Sequence, residues 1–210
     1  MDNLELTSTC AGDTGHGYIH MTVTANKLEG AEIITFRKTD YYYGLYEARM
    51  KLSSVPGVVD AFFWQSYPND GQTVQEIDIE FLTKEFTSNS GSFHAVVHPR
   101  GDLGYFDPRH QQIPQLDFNP AADFHVYGFH WTYEELNYYV DGELVASFKR
   151  SEGSPVPDRP GRIFLNCWTG SPNWGGGPPT EDATMVIDWV KYWPESDVGI
   201  SAEYISQLAE

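Results

Sequence analysis

The sequence predicts an all-β fold, a β-sandwich or jelly roll built from two stacked antiparallel sheets. Three observations predict it. Short apolar or alternating segments recur between turn signals along almost the whole chain. Helical periodicity is scarce. Aromatic residues make up 15% of the 210 residues, and such side chains suit a pleated, half-buried surface.

The segments come in order. Tyr18 to Thr24 alternates, as does Gly44 to Leu52. Val58 to Trp64 is more continuously apolar, and Gln75 to Leu82 follows it. Ser92 to His98, His125 to Trp131 and Leu136 to Val140 come next. Asp141-Gly142 then marks a two-residue hairpin into Glu143 to Phe148, because both turn positions call for positive φ. Arg162 to Trp168 and Thr184 to Tyr192 close the series. About ten strands in a chain this long stack as two sheets rather than one flat one. Residues 1–195 are expected to form the single sandwich, and 196–210 a tail with a short helix from Ile200 to Leu208. The polar, Gly/Pro-rich stretches 99–123 and 169–183 are loops of a length that is usually functional.

Composition narrows the partners. A formal net charge of −17 and a pI near 4.6 disfavour nucleic acid and anionic membranes, which need Lys/Arg clusters. No apolar run of about 18 residues exists to span a bilayer. A basic-then-apolar leader is not visible at Met1-Asp2-Asn3-Leu4. Cys10 and Cys167 have no CxxC partners, so zinc is not expected; they are either one long-range disulfide or two buried thiols.

The chemistry concentrates in Glu76-Ile77-Asp78-Ile79-Glu80. In a strand, residues i, i+2 and i+4 share a face, so three carboxylates project together while both Ile side chains point into apolar packing. Clustered acids repel and resist desolvation, so the row costs stability. An exposed acidic strand face gives the same pattern, but glycosidic-bond hydrolysis with retention requires one: a carboxylate nucleophile and a second carboxyl as acid, then base. Like charges in a row split the proton affinities that those two roles need.

Glu-Ile-Asp-Ile-Glu followed by Phe81-Leu82 resembles the signature of glycoside hydrolase family 16. Further blocks are similar in order: Tyr43 to Lys51, Gly57 to Trp64, the Tyr138-Tyr139-Val140-Asp141-Gly142 hairpin, Asn166-Cys167-Trp168-Thr169-Gly170 and Asp188 to Tyr192. The stretch from Trp174 to Met185 is similar to secreted fungal members. The resemblance implies a concanavalin A-like jelly roll that cleaves β-glucan endo-wise, of mixed 1,3-1,4 or 1,3 linkage. Glu76 is then the nucleophile, Asp78 the supporting acid and Glu80 the acid/base. The single residue between Asp78 and Glu80 resembles the lichenase and transglycosylase branch. A cell-wall transglycosylase on the same residues and a lectin-like binding module are the alternatives.

The resemblance also implies substrate contacts at Glu32, Asn166 and Trp168, with Trp174, Trp64 and Tyr41 as further cleft aromatics. Trp131 and Trp189 are expected in the core. His94 and His98, four apart on one strand face, sit beside the acids if sequential strands pair. His94 is expected to bond sugar or Glu76, and the two histidines as a metal pair are the minor reading. No cofactor is required by this chemistry, and Asp188 matches a residue that in some relatives holds a structural calcium. A polysaccharide substrate, a monomer and secretion are expected. The departures Val74-Gln75, His94 to His98 and Ile33-Ile34 fall where linkage specificity is set.

Overall fold

The computed structural model describes residues 17–67, 74–98 and 109–196, together with the backbone path of 4–7. Its strands in chain order are β1 (Leu4–Thr7), β2 (Tyr18–Val23), β3 (Gly30–Ile34), β4 (Gly44–Lys51), β5 (Val59–Ser66), β6 (Glu76–Leu82), β7 (Gly91–Ser92) and β8 (His94–His98). They continue as β9 (Gln111–Gln112), β10 (Gln115–Leu116), β11 (His125–Trp131), β12 (Glu135–Val140), β13 (Glu143–Lys149), β14 (Gly161–Trp168) and β15 (Ala183–Pro194). Two single turns of 3₁₀ helix, Thr83–Glu85 and Arg150–Glu152, are the only helical pieces among the described residues.

Two antiparallel sheets stack. One runs β1-β2-β15-β4-β11-β12-β13 and the other β3-β14-β5-β6-β8-β9, with β7 and β10 as a small pair beside them. This is the predicted jelly-roll sandwich. The Asp141-Gly142 turn forms as expected, with φ of 50° and 82°, the two positive values of a type I′ hairpin. Val126 N–H donates to the Asp141 carboxylate at 2.8 Å, which ties the hairpin tip to β11.

The core lies between the sheets and is rich in aromatic rings. Trp64 of β5 meets Trp131 of β11 at 4.5 Å between ring centroids, and Tyr46 stacks on Phe129 at 4.6 Å. Buried indole N–H groups need acceptors. Trp64 donates to the Tyr41 carbonyl at 3.0 Å and Trp131 to the Pro157 carbonyl at 2.9 Å. Asp60 is wholly buried on the same face. It accepts from the Ser53 N–H at 2.7 Å and from the Ser53 hydroxyl at 3.2 Å, and burial still raises its pKa.

Several expectations need correction. Trp64, expected in the cleft, points the other way: its partner across β6 is Ile77, so alternation sends it into the core, where none of it is exposed. Tyr41 packs edge-on against Tyr192 of the other sheet at 5.0 Å, away from the acids. Trp131 is in the core, but Trp189 is not. A bulge between Ile187 and Trp189 inserts Asp188 as an extra residue and turns Trp189 outward beside Arg49. Cys167 is a free, buried thiol that meets the Ser53 hydroxyl at 3.8 Å. Cys10, residues 99–108 and the Ile200 to Leu208 helix lie outside the described residues.

Candidate active site

The site is built on the face of the six-stranded sheet that turns away from the core. Antiparallel register sets its rows. The Glu80 row reads Glu32, Asn166, Ala61, Glu80, His94 across β3, β14, β5, β6 and β8. The Asp78 row reads Phe164, Phe63, Asp78, Val96, and the Glu76 row Arg162, Gln65, Glu76, His98. All of these side chains share a face because directly opposed residues project together. The three acids are therefore brought together as the alternation predicts, while Ile77 and Ile79 are fully buried on the core face.

Electrostatics separates the three. Asp78 is 3% exposed, and its pKa is raised first by burial and then by the charges of Glu76 and Glu80. It shares a hydrogen bond with the Glu76 carboxyl, so a proton sits between the two. The raised affinity of Asp78 makes it the donor and Glu76 the acceptor. Gln65 Nε2 also donates to Glu76 Oε2. Glu80 is raised to about 7, by desolvation first and by the Glu76 charge second. One carboxyl that holds its proton near neutral pH thus stands on the same strand face as one that accepts two hydrogen bonds.

Histidine placement differs from expectation. His94 lies opposite Glu80, but its Nε2 meets Glu85 Oε2 at 2.8 Å and its Nδ1 meets Gln111 Nε2 at 3.4 Å. Both ring nitrogens are taken by protein and the residue is 5% exposed, so it is not free to bind sugar. His98 is the histidine beside the acids, opposite Glu76 and with Nε2 3.5 Å from Asp78 Oδ2. Burial lowers its pKa, His110 lowers it further, and the Glu76 charge opposes both. Register sets each histidine opposite an acid, and the Glu85 and Gln111 contacts that engage the His94 ring leave His98 as the one turned to the carboxylates.

The flanks carry aromatic and hydroxyl-binding groups. Trp168 and Trp174 lie 5.7 Å apart and inclined by 37°, both partly exposed. The 169–183 loop reaches this position because Gly170 and Gly175 pack backbone to backbone. A Cβ on either would come within about 2.5 Å of the other's Cα. Asn166 Oδ1 is buried and accepts no hydrogen bond from protein, and Glu32 is exposed in the same row. Beyond Gln65, the Arg162 guanidinium lies 4.2 Å from the Tyr67 ring and 5.4 Å from that of Phe36, both more than half exposed. Gln65 and this Arg162 group were missed from sequence. Their signal was register, which follows only once strand pairing is fixed.

Asp188 does not fit a calcium ion. Its Oδ2 accepts from Arg49 Nη1 at 2.6 Å, and the adjoining cavity is lined by Gly17, Trp189 and Lys191. A guanidinium already compensates the carboxylate, and a second cation faces the same space.

A jelly-roll sandwich bearing a split carboxylate row on its open face, between exposed aromatics, is the class that fold and site define. The profile of Glycosyl hydrolases family 16 matches residues 5–191, and the chain belongs to that family. The β-glucanase of Bacillus subtilis (strain 168) is 36% identical over 155 residues, which cover 72% of this chain and 59% of that protein. The β-glucanase of Paenibacillus polymyxa is 34% identical over 186 residues, 85% of this chain and 71% of that protein. The solved structure of Bacillus licheniformis β-glucanase superposes with a TM-score of 0.70 at 29% identity, covering 91% of this chain and 82% of that one. The match to the B. subtilis enzyme thus spans under two thirds of its length.

Proposed function

We propose that this chain is an endo-acting, retaining β-glucanase that cleaves mixed-linkage β-1,3-1,4- or β-1,3-glucan by double displacement. The observation that carries the reading is Glu80, which holds its proton to about neutral pH on the same strand face as Glu76. Glu76 attacks the anomeric carbon and forms a glycosyl ester. Glu80 gives its proton to the departing sugar oxygen, so no alkoxide has to leave. With the aglycone gone, Glu80 is ionised and takes a proton from water. That water attacks the ester, releases Glu76 and restores the starting configuration. Asp78, donating to Glu76, fixes the nucleophile's orientation and returns that hydrogen bond when the ester breaks.

Substrate binding falls to the flanking groups. Trp168 and Trp174 offer inclined stacking faces, and the unpartnered Asn166 Oδ1 accepts from a sugar hydroxyl. The named activity of the similar bacterial proteins supports a β-glucan substrate. The chain acts as a secreted monomer, a reading that its net charge of −17 supports because like-charged copies repel. A reducing-sugar assay on barley β-glucan, laminarin and xyloglucan tests the activity, and labelled acceptor oligosaccharides separate hydrolysis from transfer. Release of sugar from barley β-glucan or laminarin, lost in Glu76→Gln, is the expected result. No release from any of the three overturns the reading.

A further inference from the structure

Glu76, Asp78 and His98 together have the make-up of a metal site. One donor atom from each, two carboxylate oxygens and an imidazole nitrogen, lies within 4.8 Å of the other two. A cluster of acids on its own means little, but two features aim this one at a ligand. Asp78 Oδ2 is buried, with a side chain only 4% exposed, and receives no hydrogen bond. It also stands 3.5 Å from His98 Nε2. Two ligands of a tetrahedral ion, each at about 2.0–2.1 Å, stand about 3.3 Å apart, so this pair already has the required spacing. Glu76 is half-buried and reaches in on a flexible side chain, and Gln65 holds only one of its two oxygens.

We propose that Glu76, Asp78 and His98 bind a borderline first-row divalent cation such as zinc, and that the bound ion holds the enzyme inactive. The imidazole selects against calcium and magnesium, which prefer all-oxygen shells of six or more ligands. Three protein ligands leave a fourth position open to water. An ion on Glu76 takes the lone pair that would attack the anomeric carbon. That inhibition rests on the hydrolase reading of Glu76, whereas binding does not.

Zinc chloride titrated into the metal-free full chain, followed by isothermal titration calorimetry, tests binding directly. One saturable site per chain is expected, unaffected by calcium at equal concentration. Cobalt(II) in its place should give the visible bands of a tetrahedral ion. His98→Gln and, separately, Glu76→Gln should each weaken the site at least about tenfold. Absence of a saturable site, or unchanged affinity in both variants, overturns the proposal. Should His98→Gln fail to fold, Glu76→Gln carries the test, since it keeps the shape of a half-buried residue. Hydrolysis is assayed separately in excess chelator. Failure there overturns the hydrolase reading, and the calorimetry still decides the metal site.

Discussion

Glu80→Gln should make the protein more stable at alkaline pH while removing its catalysis. The folded protein raises Glu80 from 4.5 to about 7, because burial and the Glu76 charge both disfavour its ionised form. Between those pH values the folded state holds a proton that the unfolded chain has lost. Stability from this group is therefore full below about 4.5 and falls as pH rises through about 7. The interval from 4.5 to about 7, at about 1.4 kcal/mol per pH unit, bounds the loss at about 3.5 kcal/mol. Gln has no proton to lose and avoids it. Urea unfolding of both proteins at pH 4.5 and pH 8 measures the difference. The wild type should lose up to about 3.5 kcal/mol more than the variant over that range. Parallel pH dependences would refute the claim that Glu80 is desolvated beside a charged Glu76.

Other expectations rest on the same geometry. Glu47, 5% exposed on β4 and raised to about 7 by burial against the opposing pull of Lys191, should behave alike: Glu47→Gln raises Tm at pH 8 and leaves turnover unchanged, because it lies in the other sheet. Trp64→Ala should cost about 3–5 kcal/mol in urea unfolding, the loss of a core aromatic. A small stability change with a raised KM would instead return Trp64 to the cleft. Trp168→Ala should raise KM about threefold to tenfold on β-glucan, with the fold intact by circular dichroism. Calcium chloride added to the metal-free protein should leave Tm unchanged, because Arg49 occupies Asp188; a calcium-dependent rise in Tm would contradict that pairing.

Local periodicity carried most of the structure that was legible in the sequence. Alternation around Glu76, Asp78 and Glu80 told which side chains share a face, and the Asp141-Gly142 turn and most strands were marked by equally local signals. Strand β3 escaped because Gly30–Ile34 is a short edge segment without clean alternation. Trp189 was misplaced because a bulge is one inserted residue, and no local pattern marks it. Trp64 shows a different failure. It lies in a nearly continuous apolar run, where both faces look alike until a partner strand assigns one to the core. His94 and His98 were told apart only by the tertiary contacts of their rings, His94 with Glu85 and Gln111 and His98 with Asp78. Gln65 and Arg162 reach the site through β5 and β14, strands joined to β6 by pairing alone.

Azide rescue of Glu76→Ala tests the central claim most directly, because the anomeric configuration of its product names the missing group. In this variant azide takes the place of the Glu76 carboxylate and attacks from the same side. With an activated β-glucoside of the glucan chain as substrate, NMR should therefore show an α-glycosyl azide formed by a single displacement. A β-glycosyl azide, or turnover of Glu76→Ala that azide does not change, would contradict the assignment of Glu76 as nucleophile.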